Sequence, residues 1–333
     1  MLDAEFDVVG LGNAIVDMIT PVEEQFLTEW DIRKNGMTLI DEDRADALTE
    51  AGRGKGQELS GGSGANTIAG VASLGGRAAY VGKVADDRLG HVFREDLRGL
   101  GVRFETAPLM EGPATARSII FVTPDGARSM NTFLGASVMF SPADVDDAIV
   151  KAGKILYLEG YLFDREDAKA AFVHAAEVAT AANRKVALTL SDNFCVDRHR
   201  ESFRHLIRNH VDLLFANEAE LLSLYETEDF DAAVGALRQE TSLAAVTRSE
   251  KGSVIISEGD LISLPAEPAE AVTDTTGAGD QFAAGFLFGH ARDLPLALCG
   301  RLGHVAAAEV ISHYGPRPET PYAELARKAG IEV

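Results

Sequence analysis

Residues 274–289 have the sequence DTTGAGDQFAAGFLFG, and this stretch decides the fold assignment. The apolar run at its end predicts a buried helix that begins near Asp280. Before that helix, Gly277, Ala278 and Gly279 leave the backbone amides unobstructed, because none of them carries a large side chain. A helix N-terminus also presents unpaired N–H groups and the positive end of the helix dipole. The stretch therefore predicts an anion hole built from the amides of residues 277–279.

Asp280 adds a carboxylate to this anion hole. In many helices an aspartate of the first turn is only a cap or a partner of the helix dipole. Beside amides that attract a phosphoryl group, it is also placed to accept a proton from a hydroxyl that attacks phosphorus. The amides would stabilise the negative charge that develops on the transferring group. We therefore predict phosphoryl transfer to a hydroxyl, with Asp280 as the general base.

A second glycine-rich stretch, ELSGGSGANTIAGVASLGG, covers residues 58–76. Its glycines allow the backbone to approach a ligand closely, and a helical pattern begins immediately after them. The same letters are also typical of an ordinary turn, so this motif alone leaves both interpretations open. Competing phosphate motifs are absent from the sequence: there is no Walker loop, and GLGNAI at residues 10–15 lacks the third glycine of a dinucleotide fingerprint.

Short apolar segments alternate with helical patterns along the chain. KILYLEG, KVALTLS and DLLFANE predict buried strands, and the alternation predicts a parallel sheet with helices on both faces, an α/β fold. SIIFVTPDGARSMNTFL predicts a hairpin around a Pro-Asp-Gly turn. We predict a large domain from residues 1–16, 40–112 and 136–333. Residues 17–39 and 113–135 are predicted to form a small lid over the acceptor site.

Composition narrows the range of partners. The chain has 333 residues, with 31 Lys and Arg against 52 Asp and Glu, a net charge of −21. Because such a protein repels polyanions and has no long basic tract, we expect no nucleic-acid partner. No apolar stretch has the length of a membrane span, and the N-terminus lacks signal-peptide features, which predicts a cytoplasmic protein without a membrane partner. Cys195 and Cys299 have no metal-ligand spacing and are predicted to be small buried residues.

The two glycine-rich motifs together resemble the signatures of the ribokinase-like, or PfkB-type, family of sugar and nucleoside kinases. Their order and their separation of about 200 residues fit, and the likeness covers nearly the whole chain. The resemblance implies a three-layer α/β/α fold with a mostly parallel central sheet and a small β-sheet lid. It implies ATP and Mg²⁺ as cofactors, a small-molecule acceptor, and a monomer or homodimer. It also implies the roles proposed above for Asp280 and for the amides of residues 277–279.

The resemblance further implies residues on the nucleotide side. In ANEAE, Asn217 and Glu220 match an Asn-x-x-Glu element that organises Mg²⁺ and phosphates, with Glu220 acting on magnesium through water. VTRSEKGSV matches the nucleotide-binding stretch, although its glycine comes later than in the family pattern. The implied nucleotide-side set is Asn217, Glu220, Thr247, Arg248, Gly252, Thr276 and His304, with His304 near the adenine. Asp274 matches a residue that holds K⁺ in some members, and the sequence leaves K⁺ binding open.

The N-terminal half indicates the acceptor. GLGNAIVDMI, FLTEWDIRKNGMTLIDED and TFLGAS resemble the adenosine kinases of this family more than its ribokinases or fructokinases. In that branch, residues matching Asn13 and Asp17 bind ribose hydroxyls, which leaves the 5′-hydroxyl free to react. The implied polar set is Asn13, Asp17, Gly61, Gly62, Ser63 and Asn66, with Arg128 reaching the transferring phosphate. The implied apolar slot for the base is Leu39, Leu134, Ala136, Leu162 and Phe194, in which Leu162 replaces an aromatic residue of some members.

The leading hypothesis from the sequence is ATP-dependent phosphorylation of the 5′-hydroxyl of adenosine, giving AMP in purine salvage. Two alternatives stay open. One is a sugar kinase of the same family acting on fructose, ribose or a keto-deoxy sugar acid. The other is a non-catalytic relative that binds a nucleoside or sugar, which the intact anion hole and Asp280 disfavour.

Overall fold

The computed structural model describes residues 4–53, 56–269 and 271–332. In chain order the strands are β1 (Phe6–Leu11), β2 (Ile15–Pro21), β3 (Met37–Leu39), β4 (Gln57–Gly61), β5 (Ala78–Val81), β6 (Arg103–Phe104), β7 (Ala116–Val122), β8 (Arg128–Phe133), β9 (Gly153–Glu159), β10 (Lys185–Thr189), β11 (Leu213–Asn217), β12 (Ala244–Thr247), β13 (Ser253–Ile256) and β14 (Leu261–Leu264).

The helices are α1 (Glu24–Glu29), α2 (Glu42–Gly52), α3 (Ser63–Ser73), α4 (Arg88–Gly99), α5 (Asp147–Ala152), α6 (Glu166–Ala181), α7 (Asn193–Asn209), α8 (Glu218–Leu224), α9 (Phe230–Leu237), α10 (Ala278–Ala291), α11 (Leu296–Val310) and α12 (Tyr322–Lys328). Short 3-10 turns lie at Gly135–Met139, Pro142–Asp144, Gly160–Asp164 and Ser249–Lys251.

A nine-stranded sheet forms the centre of the protein, in the order β14-β13-β12-β11-β10-β9-β1-β5-β6. All neighbours from β12 to β6 are parallel, and only β13 runs antiparallel to its two neighbours. Because a parallel sheet is covered on both faces, its strands are apolar on both sides. In β9, Leu156 and Leu158 pack into one core with α6 and α7, whereas Ile155 and Tyr157 pack into the other with α3 and α10. The predicted three-layer α/β/α fold is confirmed.

A second, five-stranded sheet has the order β3-β8-β7-β2-β4. The predicted hairpin is present as the antiparallel pair β7 and β8. One face of this sheet is covered by α1 and α2, because Leu27 of α1 and Leu48 of α2 pack with Ile119 and Phe121 of β7. The opposite face of the five-stranded sheet points toward the carboxyl ends of the central strands, as expected of a lid.

The lid is larger than the sequence predicted. Residues 40–61 were assigned to the large domain, yet β4 pairs with β2 and α2 packs on the lid core. The lid sheet also begins at Ile15 rather than at residue 17. The amphipathic pattern of α2 did not reveal which sheet it covers, because its apolar face fits either one. Residues 1–3, 54, 55, 270 and 333, which all fall in the predicted large domain, lie outside the described residues.

Candidate active site

The site lies where the carboxyl ends of the parallel strands meet the lid. A cavity of about 820 Å³ is lined there by residues from both sheets. Residues at or just after the ends of β1, β9, β10, β11 and β12 contribute Asn13, Glu159, Thr189, Asn217 and Thr247 to its wall. Ligands of open α/β sheets bind at this edge, because the strand ends and the following loops place polar groups together. The cavity is therefore the candidate active site.

The predicted anion hole is at the first turn of α10. Gly277 caps the helix with a φ of 81°, and a Cβ there would lie 2.8 Å from Pro316 Cα, so glycine is required for both reasons. The Ala278 amide donates to Thr275 O at 3.2 Å. Among the described residues, the amides of Gly277 and Gly279 have no acceptor, and both residues line the cavity. Two of the three predicted amides are thus free for an anion.

Asp280 lies next to these amides and is held by two side chains of α3. Ser63 Oγ donates to its Oδ1 at 2.6 Å, and Asn66 Nδ2 donates to its Oδ2 at 3.2 Å. Burial raises the pKa of Asp280 to about 6, against the lowering effect of these hydrogen bonds and of Arg317. At neutral pH the carboxylate is ionised and its pKa is close to the working pH, as general-base catalysis requires.

Asn13 and Asp17, the residues predicted to bind the acceptor, both line the cavity. Asn13 Nδ2 donates to Glu159 Oε1 at 2.9 Å, while its buried Oδ1 has no hydrogen-bond partner among the described residues. The Asp17 carboxylate lines the cavity and receives no hydrogen bond from the part of the chain described. Gly61 does not line the cavity, but a Cβ there would lie 2.4 Å from the Asp17 carboxylate, so its missing side chain makes room for that group. Gly62 lines the cavity next to it.

The predicted apolar slot is only partly present. Leu39, Leu134 and Phe194 line the cavity, and Phe194 is 72% exposed at its mouth. Ala136 and Leu162 do not line it. Both are buried, and Leu162 packs in the core with α6 and α7. This corrects the assignment, because a 3-10 turn follows β9 and points Tyr161, rather than Leu162, into the cavity.

Tyr161 is held in that position by the loop after β10. Its amide donates to Ser191 Oγ at 3.1 Å, and its hydroxyl donates to Ser191 O at 3.1 Å. Ser191 has a positive φ of 74°, a conformation that non-glycine residues adopt rarely and mostly where the surroundings impose it. The cavity wall therefore has an aromatic side chain, Tyr161, next to the position at which the sequence analysis predicted the apolar Leu162.

At the end of the cavity predicted to hold the nucleotide, Asn217 and Glu220 form a capping box at the start of α8. Asn217 N and Nδ2 both donate to the Glu220 carboxylate, at 3.0 and 2.6 Å, and both residues line the cavity. Burial raises the pKa of Glu220 to about 7, with the Asn217 hydrogen bond lowering it. Thr247 and Thr276 also line the cavity. These four predicted residues are brought together.

Three other predicted nucleotide contacts are not in the cavity lining. Arg248 pairs with Glu218 at 2.8 Å and stacks over Phe230. Gly252 has a φ of 86° between two strands, where a Cβ would collide with Leu264 O. Arg248 and Gly252 thus have structural roles in this conformation.

His304 is likewise turned away from the nucleotide end. It is buried on α11, shares a 2.8 Å hydrogen bond with Ser253 Oγ, and packs edge-on against Phe282. Burial lowers its pKa to about 4, so it is neutral at physiological pH. Its direction is set by the contact between α11 and β13, which no local sequence pattern encodes.

Arg128 and Asp274 form a buried ion pair between the lid and the loop before α10. Asp274 also accepts hydrogen bonds from Thr276 and Gly315, so each of its oxygens already has a donor. With both oxygens held by these donors, Asp274 is not arranged as a free ligand for K⁺ in this structure. Arg128 lines the cavity, and its buried Nε and Nη2 have no partner among the described residues. Two donors therefore stay available for an anion.

The sequence match agrees with this geometry. Residues 37–322 match the family described as pfkB family carbohydrate kinase, which is most of the chain. The chain belongs to the pfkB family of carbohydrate kinases. The predicted enzyme class, a PfkB-type phosphotransferase, is confirmed.

Solved structures of related pfkB kinases cover the same length. The adenosine kinase from Sinorhizobium meliloti is 52% identical, with a TM-score of 0.90, over 98% of this chain and 100% of that chain. A probable sugar kinase from Rhizobium etli CFN 42 is 48% identical, with a TM-score of 0.91, over 98% and 99%. The adenosine kinase of Anopheles gambiae, solved with P1,P4-di(adenosine-5) tetraphosphate, is 24% identical with a TM-score of 0.80, over 95% and 97%. The predicted likeness to adenosine kinases is confirmed.

Cys195 and Cys299 are both buried and unbridged. Within the residues described, none of the helices combines the length and the apolar character needed to cross a membrane.

Several residues of this pfkB kinase site were not predicted from the sequence. They are Glu159, Tyr161, Asp192 and Arg317; the first three line the cavity, and Arg317 contacts Asn66 behind it. Glu159 and Asp192 stand at or just after the ends of predicted strands, so the rule for ligand sites in parallel sheets could have identified them. Arg317 follows α11 in a segment without a recognisable pattern.

We predict that Glu159→Gln stabilises the unliganded protein at high pH. Burial raises the pKa of Glu159 to about 7, although Asn13 and Gly64 donate to it. The native state therefore binds its proton more tightly than the unfolded chain does, and stability falls as pH rises between the two pKa values. Glutamine removes this loss, on the order of 3 kcal/mol above pH 7. Thermal melting at pH 5 and pH 8 measures it: the gain should be present at pH 8 and small at pH 5. Exposed Glu258→Gln is the control, and an equal gain at both pH values would contradict the prediction.

Proposed function

We propose that this protein transfers the γ-phosphoryl group of ATP to the 5′-hydroxyl of adenosine, giving AMP and ADP. The observation that carries the proposal is a pair of unused hydrogen-bond acceptors at one end of the cavity. Asn13 Oδ1 is buried without a partner, and the Asp17 carboxylate receives no hydrogen bond from the described chain. A buried acceptor without a donor is costly, so these atoms fit a ligand that brings hydroxyl donors. The vicinal hydroxyls of a ribose supply two.

The rest of the cavity suits the base and the phosphates. Leu39, Leu134, Tyr161 and Phe194 offer an apolar and aromatic surface for a purine, whereas a free sugar needs polar groups on every side. The relative at 52% identity carries the name adenosine kinase. Asn217 and Thr247, at the other end, line the space in which we place ATP. These observations support a nucleoside acceptor and a nucleotide donor in one cavity.

Asp280 and the anion hole would carry out the transfer. As the 5′-oxygen attacks the γ-phosphorus, its proton moves to an Asp280 oxygen, and the bond between that phosphorus and the β–γ bridging oxygen breaks to release ADP. Ser63 and Asn66 keep the carboxylate in one orientation. The amides of Gly277 and Gly279, together with the unpaired donors of Arg128, would stabilise the charge on the transferring group.

Magnesium fits the nucleotide end through oxygen donors. Glu220 and Asp192 place carboxylates in the cavity wall, and both Glu220 oxygens are already held by Asn217, which suits binding through water. When bound with ATP, magnesium would neutralise the phosphate oxygens. Within the described ranges, no group of three or more His, Cys, Asp and Glu side chains forms a metal cluster of its own.

An acceptor panel tests the proposal. ADP formation from ATP and Mg²⁺ is measured with adenosine, guanosine, cytidine, ribose, fructose and a keto-deoxy sugar acid. We expect the highest kcat/KM with adenosine, and AMP as the product. Efficient turnover of a hexose or sugar acid without turnover of adenosine would contradict it. If none of the acceptors in the panel leads to ADP formation, the non-catalytic alternative is favoured.

A sugar kinase is the second candidate, favoured by Glu159. This buried carboxylate lines the acceptor end beside Asn13 and adds an acceptor that a free sugar hydroxyl could use. The relative at 48% identity is named a probable sugar kinase. The same panel separates the two, because ribose and fructose lack the base that the apolar wall would bind.

A further inference from the structure

Arg317 lies behind the candidate base, in the segment between α11 and α12. Its Nε donates to Asn66 Oδ1 at 2.8 Å, and its Nη2 donates to Ser60 O at 2.7 Å and to Ser60 Oγ at 2.8 Å. Ser60 in turn donates its amide to Asp96 at 2.9 Å. One guanidinium thus joins the C-terminal segment, the start of α3 and the lid strand β4.

The contact with Asn66 fixes which way its amide points. An asparagine side chain has one acceptor end and one donor end, whereas a guanidinium only donates. Because Arg317 occupies Oδ1 of Asn66, the Nδ2 group must face the other neighbour, which is Asp280 Oδ2. Without Arg317, the amide could turn its oxygen toward the carboxylate, and the base would lose one of its two donors.

The segment that carries Arg317 is itself anchored beside Asp280. The fully buried Gln281, the next residue along α10, donates from Nε2 to Asn66 O at 3.1 Å and to Pro316 O at 2.8 Å. It therefore ties the backbones of Asn66 and Pro316 to the first turn of α10. The backbone next to Arg317 is therefore held in place, which limits the positions that its guanidinium can take.

Arg317 also brings positive charge to an acidic cavity. It lowers the pKa of both Asp280 and Asp17, against burial, which raises both. The titratable groups that interact electrostatically with Asp280 from the packed elements are Asp17 on β2, Tyr80 on β5, Tyr157 and Glu159 on β9, Tyr161 after it, Glu220 on α8 and Tyr322 on α12. Among these acids and phenols, Arg317 supplies a positive charge that favours the ionised form of Asp280.

We propose that Arg317 is a positioning residue for the general base: it holds Asn66 so that the side-chain amide of Asn66 donates to Asp280 and keeps that carboxylate oriented. This inference rests on the role proposed for Asp280 and adds a determinant that lies outside both glycine-rich motifs. Arg317 need not touch either substrate. Its removal should therefore affect the chemical step more than substrate binding.

The first test is Arg317→Gln, measured with the acceptor that the wild type turns over best. We expect kcat to fall about 10- to 100-fold, because a mispositioned general base loses much of its contribution. KM for the acceptor should change less than about threefold. The acid limb of the pH profile of kcat/KM should move to higher pH, because the variant lacks the positive charge that favours the ionised carboxylate of Asp280. A residue that only stabilises the fold would not move that limb.

Two more variants separate charge from geometry. Arg317→Lys keeps the charge but cannot hold Asn66 and Ser60 together, so the acid limb should stay near that of the wild type while kcat stays reduced. In an Asn66→Ala background, Arg317→Gln should have a much smaller effect, because the two residues act as one unit. Arg301→Gln, an exposed arginine of α11, is the matched control and should behave like the wild type.

The Arg317 variants have clear results that would contradict the proposal. Wild-type kcat and an unmoved acid limb in Arg317→Gln would overturn the proposal, as would full additivity with Asn66→Ala. If Arg317→Gln melts below the assay temperature, Arg317→Lys carries the test through its combination of lowered kcat and unmoved limb. Failure of the proposed function is a separate result, seen as no adenosine turnover by the wild type, because the Arg317 comparisons are ratios on whichever acceptor reacts.

Discussion

Asp280→Asn should lower kcat by about 10²- to 10⁴-fold, the range that a general base contributes. Asparagine has nearly the same shape and its oxygen can still accept from Ser63, although its amide nitrogen cannot accept from Asn66. What it loses is the ability to take the proton from the attacking hydroxyl. The loss should fall on kcat, with KM for ATP nearly unchanged, because the nucleotide contacts lie elsewhere in the cavity.

Steady-state kinetics and calorimetric titration of ATP give the two readouts. Asp293→Asn is the matched control: it makes the same change at an exposed position just after the same helix. It should leave kcat unaltered. A variant at residue 280 that keeps kcat within about threefold of the wild type would remove Asp280 from the base role.

Asp17→Asn should lower kcat/KM for adenosine by about 10²-fold, since hydrogen bonds to a charged group contribute about 1.5–3 kcal/mol each. Burial raises the pKa of Asp17 to about 6, with Arg128 and Arg317 lowering it, so the carboxylate is ionised at neutral pH and accepts strongly. The amide that replaces it offers one neutral acceptor. The loss should therefore depend on the hydroxyls of the acceptor.

Adenosine, 2′-deoxyadenosine and 3′-deoxyadenosine measure that dependence. The wild type should prefer adenosine, and the preference should shrink in Asp17→Asn because the partner of the diol is weakened. Asp43→Asn, exposed on α2 of the lid, is the control. An equal loss on all three nucleosides would show that Asp17 does not recognise the hydroxyls.

Variants that neutralise a buried carboxylate of this site should lose activity but gain stability in the unliganded state. The pKa values of Asp17, Glu159, Glu220 and Asp280 are all raised, mainly by burial. Each is therefore unfavourable to the unliganded fold when ionised. A site that gathers four such carboxylates trades stability for the ability to bind hydroxyls and move a proton.

The residues of the two glycine motifs lie together in the structure. Gly277, Gly279, Ser63 and Asn66 meet around Asp280 as the sequence indicated. Predictions that depended on the direction of a side chain were less successful. His304 faces Ser253 rather than the cavity. Leu162 faces the core, and its neighbour Tyr161 lines the cavity instead. A shift of one residue in a short turn is enough to exchange an inward and an outward side chain.

The sequence by itself determined the reaction class and the fold. An anion hole at a helix N-terminus depends on a few consecutive residues, so a short motif encodes it completely. Only the tertiary structure decided how the base is held and where the lid ends. Asn13 meets Glu159 across 146 positions of the chain, and Arg317 meets Asn66 across 251. Contacts of that range are set by the packing of whole layers, and no local pattern of residues records them.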